Sequence, residues 1–251
     1  LYKEVRDMKR GLSVLLIAAL LLGACAVPAL AAAPTVRADA AAAENPTAPQ
    51  ANSAVKPGTI VAPNASFSDI SGHANETAIL SLASYGILNG MGGGLFRPDE
   101  NMTRAQFAKT LVCSLGLTPE YHSTFSDVPE SAWYAAYVDT AAAYGLVNGV
   151  GAGKFNPEGT ITRQDAATTV ARAAKLCGLD TTVTADDAHT ILSAFSDASS
   201  VASYAAPSMA FCCRSSILDS TVSKLLPQKE ILRGEIAQLL YNLLIQANLI
   251  Q

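Results

Sequence analysis

Apolar side chains recur at three- and four-residue steps in three stretches of the chain. They are Phe107, Leu111, Val112 and Leu115; Ala166, Val170, Ala173 and Cys177; and Ile236, Leu239, Leu240, Leu243 and Leu244. That period predicts three helices, each with one buried face. Trp133, Tyr137, Val138, Ala141 and Tyr144 predict a further helix ahead of the second stretch, and Gly145 follows where a helix end favours a left-handed residue. Thr103 with Gln106 and Thr162 with Asp165 predict reciprocally capped helix starts, whereas Leu232 has no side-chain acceptor to offer in the third.

The pattern is one unit written three times. Phe67-Ser68-Asp69, Phe125-Ser126-Asp127 and Phe195-Ser196-Asp197 open the copies, at steps of 58 and 70 residues. Gly86-Ile87-Leu88-Asn89-Gly90 and Gly145-Leu146-Val147-Asn148-Gly149 follow, with the weaker Ser216-Ile217-Leu218-Asp219-Ser220 in copy three. Then come Phe96-Arg97-Pro98, Phe155-Asn156-Pro157 and Leu225-Leu226-Pro227, and six residues after each proline an arginine: Arg104, Arg163, Arg233. A helix-loop-helix unit this small cannot bury its apolar face alone, so the three second helices are expected to pack together in one compact domain.

These blocks resemble the S-layer homology (SLH) domain through all three copies, from about residue 65 to the C-terminus, the third being degenerate. The resemblance implies an all-α fold in which three tandem SLH repeats form a pseudo-threefold domain around a central three-helix bundle, with repeats over 65–120, 121–180 and 190–251. It also implies noncovalent binding of secondary cell-wall polysaccharide, often through a pyruvylated amino sugar, in grooves between repeats, with no enzymatic activity and no cofactor. Its ligand residues fall on Asp69, Asp127 and Asp197, on Arg104, Arg163 and Arg233, on Gly90 and Gly149, and on Trp133. Ser220 replaces the glycine in copy three. Copy one has His73-Ala74-Asn75 where the tryptophan belongs, and copy three has Tyr204 nearby. On this count copy two is intact, and Arg163, Asp127, Trp133 and Gly149 are expected to form the best site, with Arg104, Asp69 and Gly90 forming a second.

The residue chemistry fits independently. A guanidinium beside free N–H groups at a capped helix start suits a carboxylate or phosphate. A flat Trp133 could stack on a sugar, and Gly149 would admit the ligand close to the backbone. The competing reading is structural: each arginine pairs with an opening aspartate to fix the turn, and Trp133 is core.

The ends change the picture of location. Met8-Lys9-Arg10 precedes an apolar run from Leu12 to Ala24, and Ala29-Leu30-Ala31 offers small residues for cleavage after Ala31. Residues 1–31 therefore read as a signal peptide starting at Met8, leaving no membrane span once removed. Leu22-Gly23-Ala24-Cys25 keeps open a lipid anchor on Cys25 instead. Residues 32–64, rich in Ala and Pro, read as a flexible linker. The expected location is secreted, at the bacterial cell wall.

Composition narrows the classes. A net charge of −4, falling to −6 without the leader, argues against nucleic acid as the partner. Gly149 to Lys154 lacks the spacing and the Ser or Thr of a phosphate loop. His73, His122 and His189 are isolated; Cys113 and Cys177 sit in apolar stripes; the vicinal pair Cys212-Cys213 is poorly placed for an unstrained disulfide. No carboxylate pair or nucleophile with a base stands outside the repeated blocks. The alternative to wall binding is a structural module docking on other envelope or S-layer proteins.

Overall fold

The computed structural model describes residues 54–251. The leader with its Met8 start, the cleavage position after Ala31, the alternative anchor at Cys25 and residues 32–53 of the linker lie outside the described residues.

The fold is all-α: α1 (Glu76–Ser84), α2 (Arg104–Ser114), α3 (Ala135–Ala143), α4 (Arg163–Leu176), α5 (Ala185–Leu192), α6 (Ala206–Arg214) and α7 (Arg233–Gln246). Among the described residues extended pairing is limited to isolated bridges. Helices α1 and α2 belong to the first copy, α3 and α4 to the second, α6 and α7 to the third. Helix α5 fills the longer step before copy three. Thr184 caps it by accepting from the Asp187 N–H (3.1 Å), and it packs on α6, burying Ala188 and Leu192.

The predicted stripes are the core. Phe107, Leu111, Val112, Leu115, Val170, Ile236, Leu240, Leu243 and Leu244 are fully or almost fully buried, while Cys177 is half-buried. The α3 stripe needs correction at one end. The helix begins at Ala135, so Trp133 precedes it and is 55% exposed, while Val138 and Ala141 carry the buried face. Gly145 does close this helix, at φ 67°.

The caps differ by side-chain length. Thr103 and Gln106 make the full reciprocal pair, at 3.2 and 3.1 Å. Asp165, one methylene shorter, accepts from the Thr162 hydroxyl (2.6 Å) rather than from its N–H, so the second box is incomplete. In the third copy Glu235 still accepts from the Leu232 N–H (3.0 Å), which is the other half of the box.

The copies interlock. Each first helix packs on the second helix of the copy before it: α3 on α2, α6 on α4, and α1 back on α7, with α7 also touching α4 and α2. A composition-based linker reaching residue 64 extends past the point where the chain docks. Lys56 N–H donates to Leu115 O (3.1 Å), Gly58 N–H to Leu249 O (2.7 Å), and Val61 and Ala62 N–H to Ser84 O (2.8 and 2.9 Å). All three acceptors lie at or just beyond helix C-termini, where carbonyls lack intrahelical partners.

Candidate functional site

The Phe-x-Pro turns organise the site. The carboxylate of Asp69 accepts the N–H groups of Phe96 (2.8 Å) and Arg97 (2.7 Å); Asp127 holds Phe155 (2.7 Å) and Asn156 (2.8 Å), and Asp197 holds Leu225 (2.8 Å) and Leu226 (2.7 Å). The central residue is left-handed in each turn, with φ 61° at Arg97, 59° at Asn156 and 50° at Leu226. Two donated N–H groups stabilise the charged carboxylate. The Phe96 N–H is the main reason the Asp69 carboxyl lies below its usual range. Burial pushes Asp127 upward, yet the N–H groups of Phe155 and Asn156 carry it below.

The repeated arginines grip the same turns from the neighbouring copy. Arg104 Nε donates to Phe155 O (2.8 Å) and Nη2 to Asn148 O (2.8 Å). Arg163 Nε donates to Leu225 O (2.8 Å), and Arg233 donates to Phe96 O (3.0 Å) and Asn89 O (3.2 Å). The guanidinium groups of Arg104 and Arg233 also lie 4.5 and 4.7 Å from the Phe155 and Phe96 ring centroids. The order closes on itself: copy one holds copy two, two holds three, three holds one. Arginine and aspartate therefore do not pair with each other; they bind opposite ends of one turn, carbonyl against N–H, across a copy boundary.

Gly90 and Gly149 are needed by the same packing. A Cβ on Gly90 would stand 2.7 Å from Leu95 O and 2.8 Å from the Phe67 ring; on Gly149, 2.6 Å from Lys154 O and 2.9 Å from Phe125. In copy three the segment from Asp219 to Leu225 is one residue shorter than its counterparts, and the tight bridges at 92–95 and 151–154 have no equivalent, so Ser220 is accommodated.

Two grooves flank these turns. The first, of 230 Å³, is lined by Asn89, Gly90, Gln106, Lys109, Trp133 and Arg233 among others. The Trp133 ring meets Tyr134 edge-on at 5.2 Å, and the Lys109 ammonium lies 5.6 Å from the Trp133 ring centroid and 5.7 Å from that of Tyr137. The second groove, of 290 Å³, repeats the plan one copy on, with Asn148, Gly149, Asp165, Arg172, Tyr204 and Arg104. Here the aromatic ring is tied down: Tyr204 donates to Asp165 (2.6 Å) and accepts from Gln164 (2.9 Å). Burial, with the Asp165 carboxylate adding to it, pushes the Tyr204 hydroxyl up to about 12. Burial also draws Arg104, Arg172 and Arg233 below the usual guanidinium value.

At the third boundary Arg163 Nη1 donates to Glu235 (2.6 Å), neutralising the cation, and Ala74 stands two residues before α1 where Trp133 stands two before α3. The structure thus redistributes the expected site. Arg163, Asp127, Trp133 and Gly149 do not meet: Trp133 shares a groove with Gly90 and Arg233, Gly149 shares one with Arg104 and Tyr204, and Asp127, Asp69 and Asp197 hold turns. Lys109, Gln106, Asp165 and Arg172 were missed from sequence. Their signal is positional, since Gln106 and Asp165 both fall two residues after the arginine of their own second helix.

Other chemistry is sparse. Cys113, Cys177, Cys212 and Cys213 are unbridged, and among the described residues no cluster of His, Cys, Asp and Glu could hold a metal ion. No described helix is long and apolar enough to cross a membrane.

The chain is 27% identical over 77% of its length to exoglucanase XynX of Acetivibrio thermocellus, covering 17% of that protein. It is 33% identical over 65% of its length to the surface-layer 125 kDa protein of Lysinibacillus sphaericus, covering 13% of it. It is 42% identical over 33% of its length to an S-layer-related protein of Niallia circulans, of which it covers 5%. The chain thus spans less than a fifth of each of these relatives. The turns, clasping arginines and first-groove glycine of copies one and two lie in sequence that matches a family model, that of the S-layer homology domain, over residues 66–108 and 124–167.

Proposed function

We propose that this chain is a secreted, non-catalytic module that attaches noncovalently to acidic secondary cell-wall polysaccharide, through the grooves at its first two copy boundaries. The observation that carries the reading is Trp133. A tryptophan ring left 55% exposed, beside Lys109 and Arg233, is a stacking platform for a sugar with cations beside it for an acid group. The second groove offers the same parts in Tyr204, Arg104 and Arg172. A pyruvylated amino sugar fits both halves of this chemistry. The closed order of arginine contacts supports a pseudo-threefold arrangement of three SLH repeats with the second helices at its centre. Similarity to surface-layer proteins and to an exoglucanase supports an anchoring part that can accompany different partners. The leader supports export, with cleavage after Ala31 or lipidation at Cys25 as the two routes.

The test is pelleting of the protein with bacterial cell-wall sacculi before and after acid removal of the secondary polymer. Binding that disappears on stripping, and that Trp133→Ala weakens, supports the anchor. Equal binding to both preparations, or none to either, overturns it in favour of docking on other envelope proteins.

A further inference from the structure

The two grooves share a plan but not a charge. Position for position along the second helices, Gln106 corresponds to Asp165 and Lys109 to Thr168, each counted from the arginine that starts its helix. The first groove therefore contains two cations, Lys109 and Arg233, and no carboxylate in its wall. The second contains two cations, Arg104 and Arg172, with the Asp165 carboxylate between the Thr162 and Tyr204 hydroxyls. At the third boundary Glu235 cancels Arg163 outright. Net charge in the three positions thus steps down from doubly positive to neutral.

Arg233 is not a tunable member of that set. Its guanidinium is buried and committed to Phe96 O and Asn89 O, so it is fixed in place as part of the fold. Lys109 is different. It is half-buried, makes no ion pair among the described residues, and its ammonium lies over the Trp133 and Tyr137 rings, 5.6 and 5.7 Å from their centroids, on a flexible stem that can turn toward a group bound against them. An ammonium in that setting contributes a charge-assisted hydrogen bond to an anion but little to a neutral hydroxyl.

We infer that Lys109 is the specificity-determining residue of the first groove, making it selective for a sugar that carries an acidic group, carboxylate or phosphate, while the second groove, with Asp165 in its wall, is not selective in this way. The inference rests on the reading of the grooves as glycan sites and sharpens it: the chain contains one acid-selective groove rather than equivalent ones.

Trp133 is the only tryptophan in the chain, so tryptophan emission, excited at wavelengths too long for the tyrosines, reports the first groove alone. The full protein is titrated with N-acetylglucosamine, with N-acetylmuramic acid and with N-acetylglucosamine 6-phosphate, which are one amino sugar in neutral, carboxylate and phosphate form. The expected result is that at least one acid sugar binds about tenfold more tightly than the neutral one, the worth of one charge-assisted hydrogen bond. Which acid wins identifies the anion. Lys109→Thr, which installs the residue of the corresponding position in copy two, should remove that preference, bringing the affinities for the acid and neutral sugars to within about twofold of each other. An unchanged thermal transition checks that the variant is folded. Equal affinity for all three sugars, or a preference that survives Lys109→Thr, overturns the role of Lys109 and leaves the groove reading standing. No change in Trp133 emission with any of the three overturns both.

Discussion

The first and third copy boundaries are built on the same clasp and have opposite exposed chemistry. In each, an arginine from the start of a second helix donates through Nε to the carbonyl of a Phe-x-Pro-type turn whose N–H groups an aspartate holds, Arg233 on Phe96 and Arg163 on Leu225. What differs is the residue two positions along the neighbouring helix and the residue two before the next first helix. Gln106 and Trp133 leave the first boundary open and cationic; Glu235 and Ala74 leave the third neutral and without a platform. The clasp is thus a structural constant, and the exposed chemistry varies in the residues around it.

Breaking the constant should have the largest effect. Arg233→Ala leaves two carbonyls of copy one without their donor, removes the guanidinium from Phe96 and opens the ring of contacts where copies one and three meet. A loss of roughly 3 kcal/mol is expected, read as a fall in the urea midpoint. Unchanged stability would mean the clasp is incidental.

Next is the difference at the platform. Trp133→Ala should weaken wall binding by about 2 kcal/mol, or roughly thirtyfold, with the thermal transition little moved because the ring is exposed. Substituting Ala74 in the same way as a control, with Gly, should leave binding unchanged.

The third boundary can be pushed toward the first. Glu235→Gln keeps an acceptor for the Leu232 N–H but uncovers Arg163, so it should cost about 1 kcal/mol of stability while raising affinity for an acid sugar. A gain in binding with no measurable stability loss would show that the ion pair is only a gate.

The smallest expected effect is the dependence on pH. Asp69 and Asp127 have carboxyls held below their usual range in the folded chain, so their contribution is complete above about pH 5, where unfolded carboxylates are ionised, and is lost as pH falls through the depressed folded values. Asp127→Asn should flatten the acid limb of a stability–pH curve, and an unaltered limb would remove the turn carboxylates from the account.

Much of this was legible in the sequence because it is local. The 3.6-residue stripes of Phe107 to Leu115 and Ile236 to Leu244, the threonine caps and the left-handed Gly145 each depend on residues within a few positions, and the structure has them. Contacts that cross copies were not legible. Nothing near Arg104 says that its partner is Phe155, 51 residues on, or that Trp133 faces Gly90 of the previous copy and Arg233 of the next. Reading each copy as a closed unit therefore assembled Arg163, Asp127, Trp133 and Gly149 into one site, when they belong to different boundaries. Helix α5 had a signal in Thr184 and Asp187, but no counterpart in the other copies to draw notice. Lys56 to Ala62 read as linker because their composition offers no core residue; what docks them is their backbone N–H groups.

The closed order of the arginines also fixes copy number. An open stack of repeats exposes an unsatisfied face at each end, needs special terminal units to cover it, and can lengthen by duplication. Here every turn already has its arginine and every arginine its turn, so no terminal unit is required and a fourth copy would find neither. Change in this arrangement has to come by altering individual boundaries, and the three here already differ in charge and in aromatic platform while keeping the same clasp.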